Sequence, residues 1–165
     1  MQIKSARILL TGATGGLGQA LARQLASGGA ELLLAGRDGG KLQPLQQSLP
    51  GRHAIVQADL NDADGVAAVA RAAADFGIDV LINNAGIGCF GLLEQQPWAE
   101  VEQVLATNLA TPIRLTQALL AGLKARPAAA IVNVGSTFGS IPFAGFAAYS
   151  AAKAGLRGFS QALRR

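Results

Sequence analysis

Three side chains near the carboxyl end of the chain could act together on an oxygen atom. Tyr149 and Lys153 stand four positions apart, so a helix carries both on one face. A free tyrosine titrates near pH ~10, and a nearby positive charge is expected to lower the pKa of the Tyr149 phenol towards the working range. Ser136, upstream of this pair, offers a hydroxyl that can hold a carbonyl or alcohol oxygen beside the phenol. Tyr-x-x-x-Lys alone is more often part of an ordinary amphipathic helix, so the rest of the chain decides between the two interpretations.

The composition predicts one compact domain over residues 1–165. Half of the 165 residues are hydrophobic and 15% are charged, which is enough to bury a continuous core. The net charge of +4 comes from scattered basic residues without interleaved aromatics, so no nucleic-acid partner is expected. The single cysteine, Cys89, allows no internal disulfide. No segment has the length and apolar character of a membrane span or a signal peptide, so the sequence favours a cytoplasmic protein.

Apolar segments alternate with helical patterns along the chain, which predicts an α/β fold. Right-handed crossovers between the strands then give a doubly wound parallel sheet in the order 3-2-1-4-5, cut short at the carboxyl-terminal edge. Leu17, Leu21 and Leu25 recur at helical spacing after the first strand. A short helix is expected from Lys41 to Leu49, with a late start because Pro44 limits its interior. The five strands are predicted around Ile8–Leu10, Glu31–Gly36, Ala54–Val56, Val80–Gly86 and Ala130–Gly135.

A glycine-rich turn, Thr11-Gly-Ala-Thr-Gly-Gly-Leu-Gly18, lies between the first strand and the first helix. Glycines at such a junction let the backbone approach a pyrophosphate and point helix-terminal N–H groups at it. The spacing Thr11-Gly12-x-x-x-Gly16-x-Gly18 resembles the cofactor loop of the short-chain dehydrogenase/reductase family. The segment Asn83-Asn84-Ala85-Gly86 is similar to that family's Asn-Asn-Ala-Gly motif, and Gly135-Ser136-Thr137 to its serine loop, although the loop's usual first serine is glycine here.

The resemblance implies a set of cofactor ligands. It places Asp59 and Leu60 beside an adenine ring, although Asp59 fits equally well an Asx turn before a helix capped by Asn61 or Asp62. It also implies that Tyr149 and Lys153 contact the nicotinamide ribose. The cofactor-binding residues predicted in this way are Gly12, Thr14, Gly15, Gly16, Leu17, Gly18, Arg37, Asp59, Leu60, Asn84, Ala85, Gly86, Tyr149 and Lys153.

The end of the second strand favours NADP over NAD. NAD-dependent enzymes place a carboxylate there, whereas this chain has Gly36 followed by Arg37. A guanidinium binds a 2′-phosphate through paired charged hydrogen bonds, and a carboxylate would repel it. Asp38 is either a ribose ligand or, more plausibly, the cap of the following helix.

A long helix is expected from about Pro97 into the early 120s, with Asn108 on its apolar face. Such an asparagine usually has its hydrogen bonds satisfied within the core. Pro112 has no N–H, so it cannot donate to the backbone carbonyl of Asn108, which is left free to accept from water. In the short-chain dehydrogenase/reductase family, which this sequence resembles, the asparagine that matches Asn108 helps to hold a water. That water links the active-site lysine, Lys153 here, to solvent.

Together, Asn108, Ser136, Tyr149 and Lys153 predict an NADP(H)-dependent oxidoreductase that interconverts a carbonyl and an alcohol. The alternatives are an NADP-binding sensor without turnover, an epimerase or dehydratase of the extended branch, and an inactive fragment. The family's chains continue beyond the point where this sequence ends, which favours a truncated sequence over a true fragment. The substrate is expected to be a small molecule. Phe138, Pro142, Phe143 and Phe146 form either an apolar wall for it or ordinary packing. The helices that carry Asn108 and Tyr149 are expected to pack against the same helices of a second subunit, which gives a homodimer or homotetramer.

Overall fold

The computed structural model describes residues 3–164, and its centre is a five-stranded parallel sheet in the order β3-β2-β1-β4-β5. All four neighbouring strand pairs are parallel, which confirms the predicted doubly wound topology. The strands are β1 (Arg7–Thr11), β2 (Glu31–Gly36), β3 (His53–Gln57), β4 (Val80–Asn83) and β5 (Ala130–Asn133). The helices are α1 (Gly16–Ser27), α2 (Gly39–Ser48), α3 (Ala63–Phe76), α4 (Trp98–Leu105), α5 (Thr111–Lys124) and α6 (Ala147–Leu163).

Two apolar layers cover the two faces of the sheet. Side chains alternate along each strand, so Ile8 and Leu10 face one layer and Leu9 faces the other. The first layer is completed by α1 and α2, and the second by α3 and α5. Because both faces are covered, the central strands are continuous apolar runs rather than alternating ones. Within residues 3–164, no helix combines the length and the apolar character needed to cross a membrane.

The first helix packs on the sheet through small residues. Its buried positions are Gly18, Ala22 and Ala26, whereas Leu17 is 55% exposed and Leu21 is partly buried. Leu21 and Leu25 also pack against this apolar layer, so two of the three leucines at helical spacing lie beside the buried positions. Small side chains on the buried face allow the helix to lie close to the strands beside the glycine turn.

The second helix begins at Gly39, so the expected late start at Lys41 was wrong. Asp38 caps it, since its carboxylate accepts from the Lys41 backbone N–H at 3.2 Å, as the capping interpretation predicted. Pro44 lies inside the helix. It removes the N–H that would bond to the carbonyl of Gly40, but Gly40 is exposed and water can serve that carbonyl instead.

The predicted long helix is present, but it is not uniformly α-helical. Between α4 and α5, residues Ala106–Ala110 form a turn of π-helix, in which the backbone N–H of Thr111 donates to the carbonyl of Ala106. The sequence predicted an irregularity here through Pro112, which lies in the first turn of α5. The π turn, with its one additional residue, was not predicted.

Candidate active site

One cleft of about 850 Å³ lies at the carboxyl ends of the strands, where ligands bind in open α/β sheets. Every residue that the sequence analysis assigned to cofactor binding or catalysis lines this cleft. They are Gly12, Thr14, Gly15, Gly16, Leu17, Gly18, Arg37, Asp59, Leu60, Asn84, Ala85, Gly86, Asn108, Ser136, Tyr149 and Lys153. The fold thus brings together residues that are up to 141 positions apart in the chain, from Gly12 to Lys153.

The glycine turn forms a cradle of bare backbone. Gly12 has a φ of 63°, and a Cβ there would lie 2.7 Å from the Cα of Ala85. A Cβ at Gly18 would run into the carbonyl oxygen of Gly12, whereas a Cβ at Gly16 would meet no protein atom within 4 Å. The first N–H groups of α1 have no intrahelical partners, and neither a side-chain cap nor an acidic residue occupies its first turn. This open, electropositive end fits a dinucleotide pyrophosphate.

The end of β4 braces the glycine turn from the other side. The Asn84 side-chain amide donates to the carbonyls of Thr11 at 2.9 Å and Gly12 at 3.1 Å. The Thr11 hydroxyl accepts from the backbone N–H groups of Asn84 and Ala85, both at 3.0 Å. These bonds hold the Asn-Ala-Gly segment against the turn, so this asparagine has a structural function in addition to its place in the cleft.

Arg37, Asp38 and Lys41 form the end of the cleft beyond β2. Among residues 3–164, Arg37 forms no ion pair, while Lys41 Nζ lies 3.4 Å from the Asp38 carboxylate. No motif in the sequence marked Lys41 as a residue of the cleft. Its position three residues after the helix cap, in the first turn of α2, was the available signal.

The loop after β3 adopts an Asx turn. Asp59 Oδ1 accepts from the backbone N–H of Asn61 at 3.0 Å, which is the alternative that the sequence left open for this carboxylate. Asp62 caps α3 by accepting from the N–H of Asp64. Asp59 nevertheless lines the cleft beside the buried Leu60.

The π turn holds this loop in place. The Thr107 hydroxyl donates to Asn61 Oδ1 at 2.7 Å, and the Thr111 hydroxyl donates to the Leu60 carbonyl at 2.8 Å. Thr107 and Asn61 also line the cleft, and neither was identified from the sequence. Thr107 in the π turn and Thr111 at the start of α5 therefore fix the wall of the cleft at the end of β3.

Asn108, in the same π turn, reaches the opposite end of the cleft and is completely buried. Its side-chain amide donates to the carbonyls of Ile87 at 2.7 Å and Val104 at 2.9 Å, but among the described residues its Oδ1 has no hydrogen-bond partner. A Cβ at Gly86 would lie 2.8 Å from this Oδ1 and 3.7 Å from Lys153 Nζ. The bare backbone of Gly86 therefore separates an unpaired acceptor from an ammonium group, an arrangement that suits a bound polar molecule.

Lys153 is 5% exposed, and its Nζ donates to the carbonyl of Val134 at 2.8 Å. Burial lowers the pKa of this ammonium below its ordinary value because the charged form is poorly solvated. The Nζ lies 5.7 Å from the centre of the Tyr149 ring. The positive charge thus adjoins the phenol, as the spacing on the helix predicted.

Ser136 caps a short 3₁₀ turn, Thr137–Gly139, and lies three positions after Asn133, the last residue of β5. Its Oγ accepts from the backbone N–H of Phe138 at 3.2 Å, which leaves the hydroxyl hydrogen available for donation into the cleft. The turn packs closely on α6, since a Cβ at Gly139 would lie 2.8 Å from the Lys153 carbonyl carbon. This contact fixes the serine loop relative to the helix that carries Tyr149.

The doubly wound sheet, the glycine cradle and the cleft at the carboxyl ends of the strands define a protein of the dinucleotide-binding α/β class. A family model described as short chain dehydrogenase matches residues 6–165. The chain belongs to this family of oxidoreductases, which confirms the resemblance read from the motifs.

Relatives of known sequence support the assignment. Nodulation protein G of Rhizobium sp. (strain N33) is 38% identical over 164 residues, covering 98% of this chain and 67% of the relative. The 3-oxoacyl-(acyl-carrier-protein) reductase FabG of Vibrio cholerae is 34% identical over 167 residues, covering 100% of this chain and 68% of the relative. The chain thus spans about two thirds of the length of these curated relatives.

Solved structures agree in fold. A short-chain dehydrogenase from Streptomyces avermitilis matches with a TM-score of 0.91 at 34% identity, covering 97% of this chain and 60% of that one. A metagenomic short-chain oxidoreductase in complex with NADP matches with a TM-score of 0.91 at 36% identity, covering 98% and 76%.

Proposed function

We propose that this protein is an NADP(H)-dependent oxidoreductase that interconverts a small-molecule carbonyl and its alcohol, and that residues 1–165 form its single cofactor-binding domain. The observation that carries the proposal is that one cleft holds both the glycine cradle and the side chains of Ser136, Tyr149, Lys153 and Asn108. A site with a cradle alone would fit a sensor of the NADP pool. The additional phenol, ammonium and hydroxyl favour proton transfer to oxygen.

The protein's own groups divide the work of the reduction. NADPH, when bound, supplies the hydride that reaches the carbonyl carbon. Tyr149 gives its proton to the carbonyl oxygen, and the Ser136 hydroxyl holds that oxygen by a hydrogen bond. Lys153 stabilises the negative charge left on the phenol oxygen and binds the nicotinamide ribose hydroxyls. Asn108 orients a water that returns a proton towards Lys153 from solvent.

Two cations support the choice of NADP. Arg37 forms no ion pair among the described residues and lines the cleft where a 2′-phosphate would lie. Lys41 adds a second positive charge at the same end. The NADP complex of the metagenomic relative agrees with this choice of cofactor.

The decisive experiment is single-turnover reduction of a panel of aldehydes and ketones by the protein at its full natural length and by its Tyr149→Phe variant. Tyr149 is the chain's only tyrosine, and phenylalanine keeps the ring while removing the proton donor. General acid catalysis contributes about 10²–10⁴-fold, so a rate loss of at least that order is expected. NADPH binding by the variant, measured by fluorescence titration, should remain.

Two results would overturn the proposal. Reduction of any substrate by Tyr149→Phe at near wild-type rate would show that this phenol is not the acid. NADPH binding by the wild type without reduction of any member of the panel would favour the sensor instead. The Ser136→Ala variant serves as a second check, since loss of the hydrogen bond to the substrate oxygen should also lower the rate severely.

A further inference from the structure

Four phenylalanine rings adjoin one another beside Tyr149. Phe143 stacks on Phe138 at 5.5 Å, and we name the other three, Phe90, Phe138 and Phe146, the aromatic wall. Phe146 is its central member, with its ring centre 5.2 Å from that of Phe90 and 5.2 Å from that of Phe138. The Tyr149 ring meets Phe146 at 6.1 Å and Phe138 at 6.3 Å, in both cases edge to face. The wall is therefore in direct contact with the ring of the proposed acid.

Backbone contacts fix the wall rather than leaving it to loose side chains. The N–H of Gly91 donates to the carbonyl of Gly145 at 2.9 Å, which ties the loop after β4 to the segment before α6. Gly145 has a φ of 82°, and a Cβ there would collide with the Phe90 ring. The ring of Phe90 thus lies on bare backbone, and only glycine permits both this conformation and this contact.

The aromatic wall is not part of the hydrophobic core. Phe90 is 71% exposed, and the partly buried Phe138 and Phe146 line the cleft. A contiguous exposed apolar patch beside polar groups marks a ligand-binding groove or an interaction site. The charges of the cleft lie elsewhere, on Arg37, Asp38, Lys41 and Asp59, except for Lys153.

Lys153 does not provide a salt-bridge partner for a substrate. Its Nζ is buried, donates to the Val134 carbonyl and carries a lowered pKa. A carboxylate on the substrate would gain no ion pair here, because no free cation among residues 3–164 lines this end of the cleft.

We propose that the substrate's carbonyl carries an uncharged, flat apolar group such as an aryl ring, and that Phe146 and Phe138 determine this specificity by ring contact. The inference rests on the proposed function and narrows its substrate class. The ring lies on the aromatic wall while the carbonyl oxygen reaches Ser136 and Tyr149. Reduction then delivers hydride to the carbonyl carbon and a proton to its oxygen, yielding the aryl carbinol and NADP⁺.

The test uses three methyl ketones with the protein at its full natural length and NADPH. Acetophenone and cyclohexyl methyl ketone have rings of the same size and differ in flatness and aromaticity, while levulinate carries a carboxylate. Aromatic pairs add a contribution equivalent to about 2- to 10-fold, so kcat/KM should favour acetophenone over the cyclohexyl ketone by that factor. Levulinate should be reduced least.

Variants assign the preference to the wall. Phe146→Leu and Phe138→Leu should each bring the ratio of the two ring ketones towards one, mainly through KM. Phe76→Leu makes the same change at the end of α3, outside the cleft, and should keep the wild-type ratio. NADPH affinity, measured for each variant, reports whether the cofactor half of the cleft remains folded.

The outcomes separate this inference from the proposed function. Turnover of the ketones with equal kcat/KM for both rings, or a preference that survives both wall variants, overturns the inference and leaves the oxidoreductase intact. Efficient reduction of levulinate would also overturn the inference and leave the proposed oxidoreductase function intact. NADPH binding without turnover of any of the three overturns the proposed function itself.

Discussion

Removing the positive charge of Lys41 should weaken NADPH binding, because Lys41 compensates the negative charge of Asp38 at the cofactor end of the cleft. The Asp38 carboxylate stands next to Arg37, where it would repel a 2′-phosphate. Lys41 compensates it, with Nζ 3.4 Å from the carboxylate and the backbone N–H bonded to it at 3.2 Å. In Lys41→Gln the carboxylate would act on the phosphate unopposed, so NADPH should bind more weakly and NADH, which lacks that phosphate, should not.

The magnitude follows from the exposure of the pair. The side chains of Lys41 and Asp38 are 72% and 49% exposed, so solvent screens their interaction strongly. Two unit charges 4 Å apart interact by about 1 kcal/mol in water and about 4 kcal/mol at an effective dielectric constant of 20. A value of about 1–2 kcal/mol, near the aqueous limit, corresponds to roughly 5- to 30-fold weaker NADPH binding.

A second substitution isolates the cause. Asp38→Asn removes the charge but keeps a good helix cap, so Lys41→Gln combined with Asp38→Asn should recover NADPH affinity to within about twofold of wild type. Lys124→Gln, in the last turn of α5, is the matched control for loss of one positive charge. Titration of all four proteins with NADPH and NADH tests the reasoning. It is refuted if Lys41→Gln weakens both cofactors equally, or if Asp38→Asn fails to rescue the affinity.

Three further predictions concern Lys153, the glycine cradle and assembly. Burial lowers the pKa of Lys153 in the folded state, so the unfolded state binds more protons at pH values between that lowered pKa and 10.5. As pH rises through this window, the unfolding free energy of wild type, measured with urea, should increase relative to that of Lys153→Met. A difference that stays flat or falls would contradict this prediction. Gly18→Ala should lower the unfolding free energy by about 1–3 kcal/mol, because its Cβ meets the Gly12 carbonyl. Gly16→Ala should keep the stability of wild type and weaken NADPH binding. Equal unfolding curves for the two variants would refute this prediction. The helices with Asn108 and Tyr149 should form a dimer or tetramer interface, and sedimentation of the full-length protein as a monomer at micromolar concentration would count against it.

The strand order and the cofactor cradle could be predicted because their signals are local. Parallel strands covered on both faces are continuous apolar runs, and the glycines of the turn mark a strand-to-helix junction. The tie between Thr111 and Leu60 joins residues 51 positions apart, and no local pattern announces such a bond. The start of α2 was misjudged because proline was taken as a barrier, although the capping strength of Asp38 decided where the helix begins.

Lys41 and the aromatic wall show a second kind of limit. An isolated lysine or phenylalanine has no motif, and its function depends on neighbours that only the fold supplies. Lys41 gains meaning from its distance to Asp38, and Phe90 from the bare backbone of Gly145 beneath it. The sequence could name Phe146 as a candidate for an apolar wall, but not the contact that places it against Tyr149.

The π turn offsets α5 from α4 by a rotation about the axis of the long helix. An α-helix advances 100° per residue, so one additional residue shifts everything that follows by about that angle. Deleting Ala110 would let the helix run on as regular α-helix, but Leu115 and Leu119 could then keep their places on the sheet only if Asn108 left the cleft. We therefore expect substitutions in this segment to be tolerated more readily than a change of its length. Insertions and deletions in this segment should be far rarer among functional variants than substitutions.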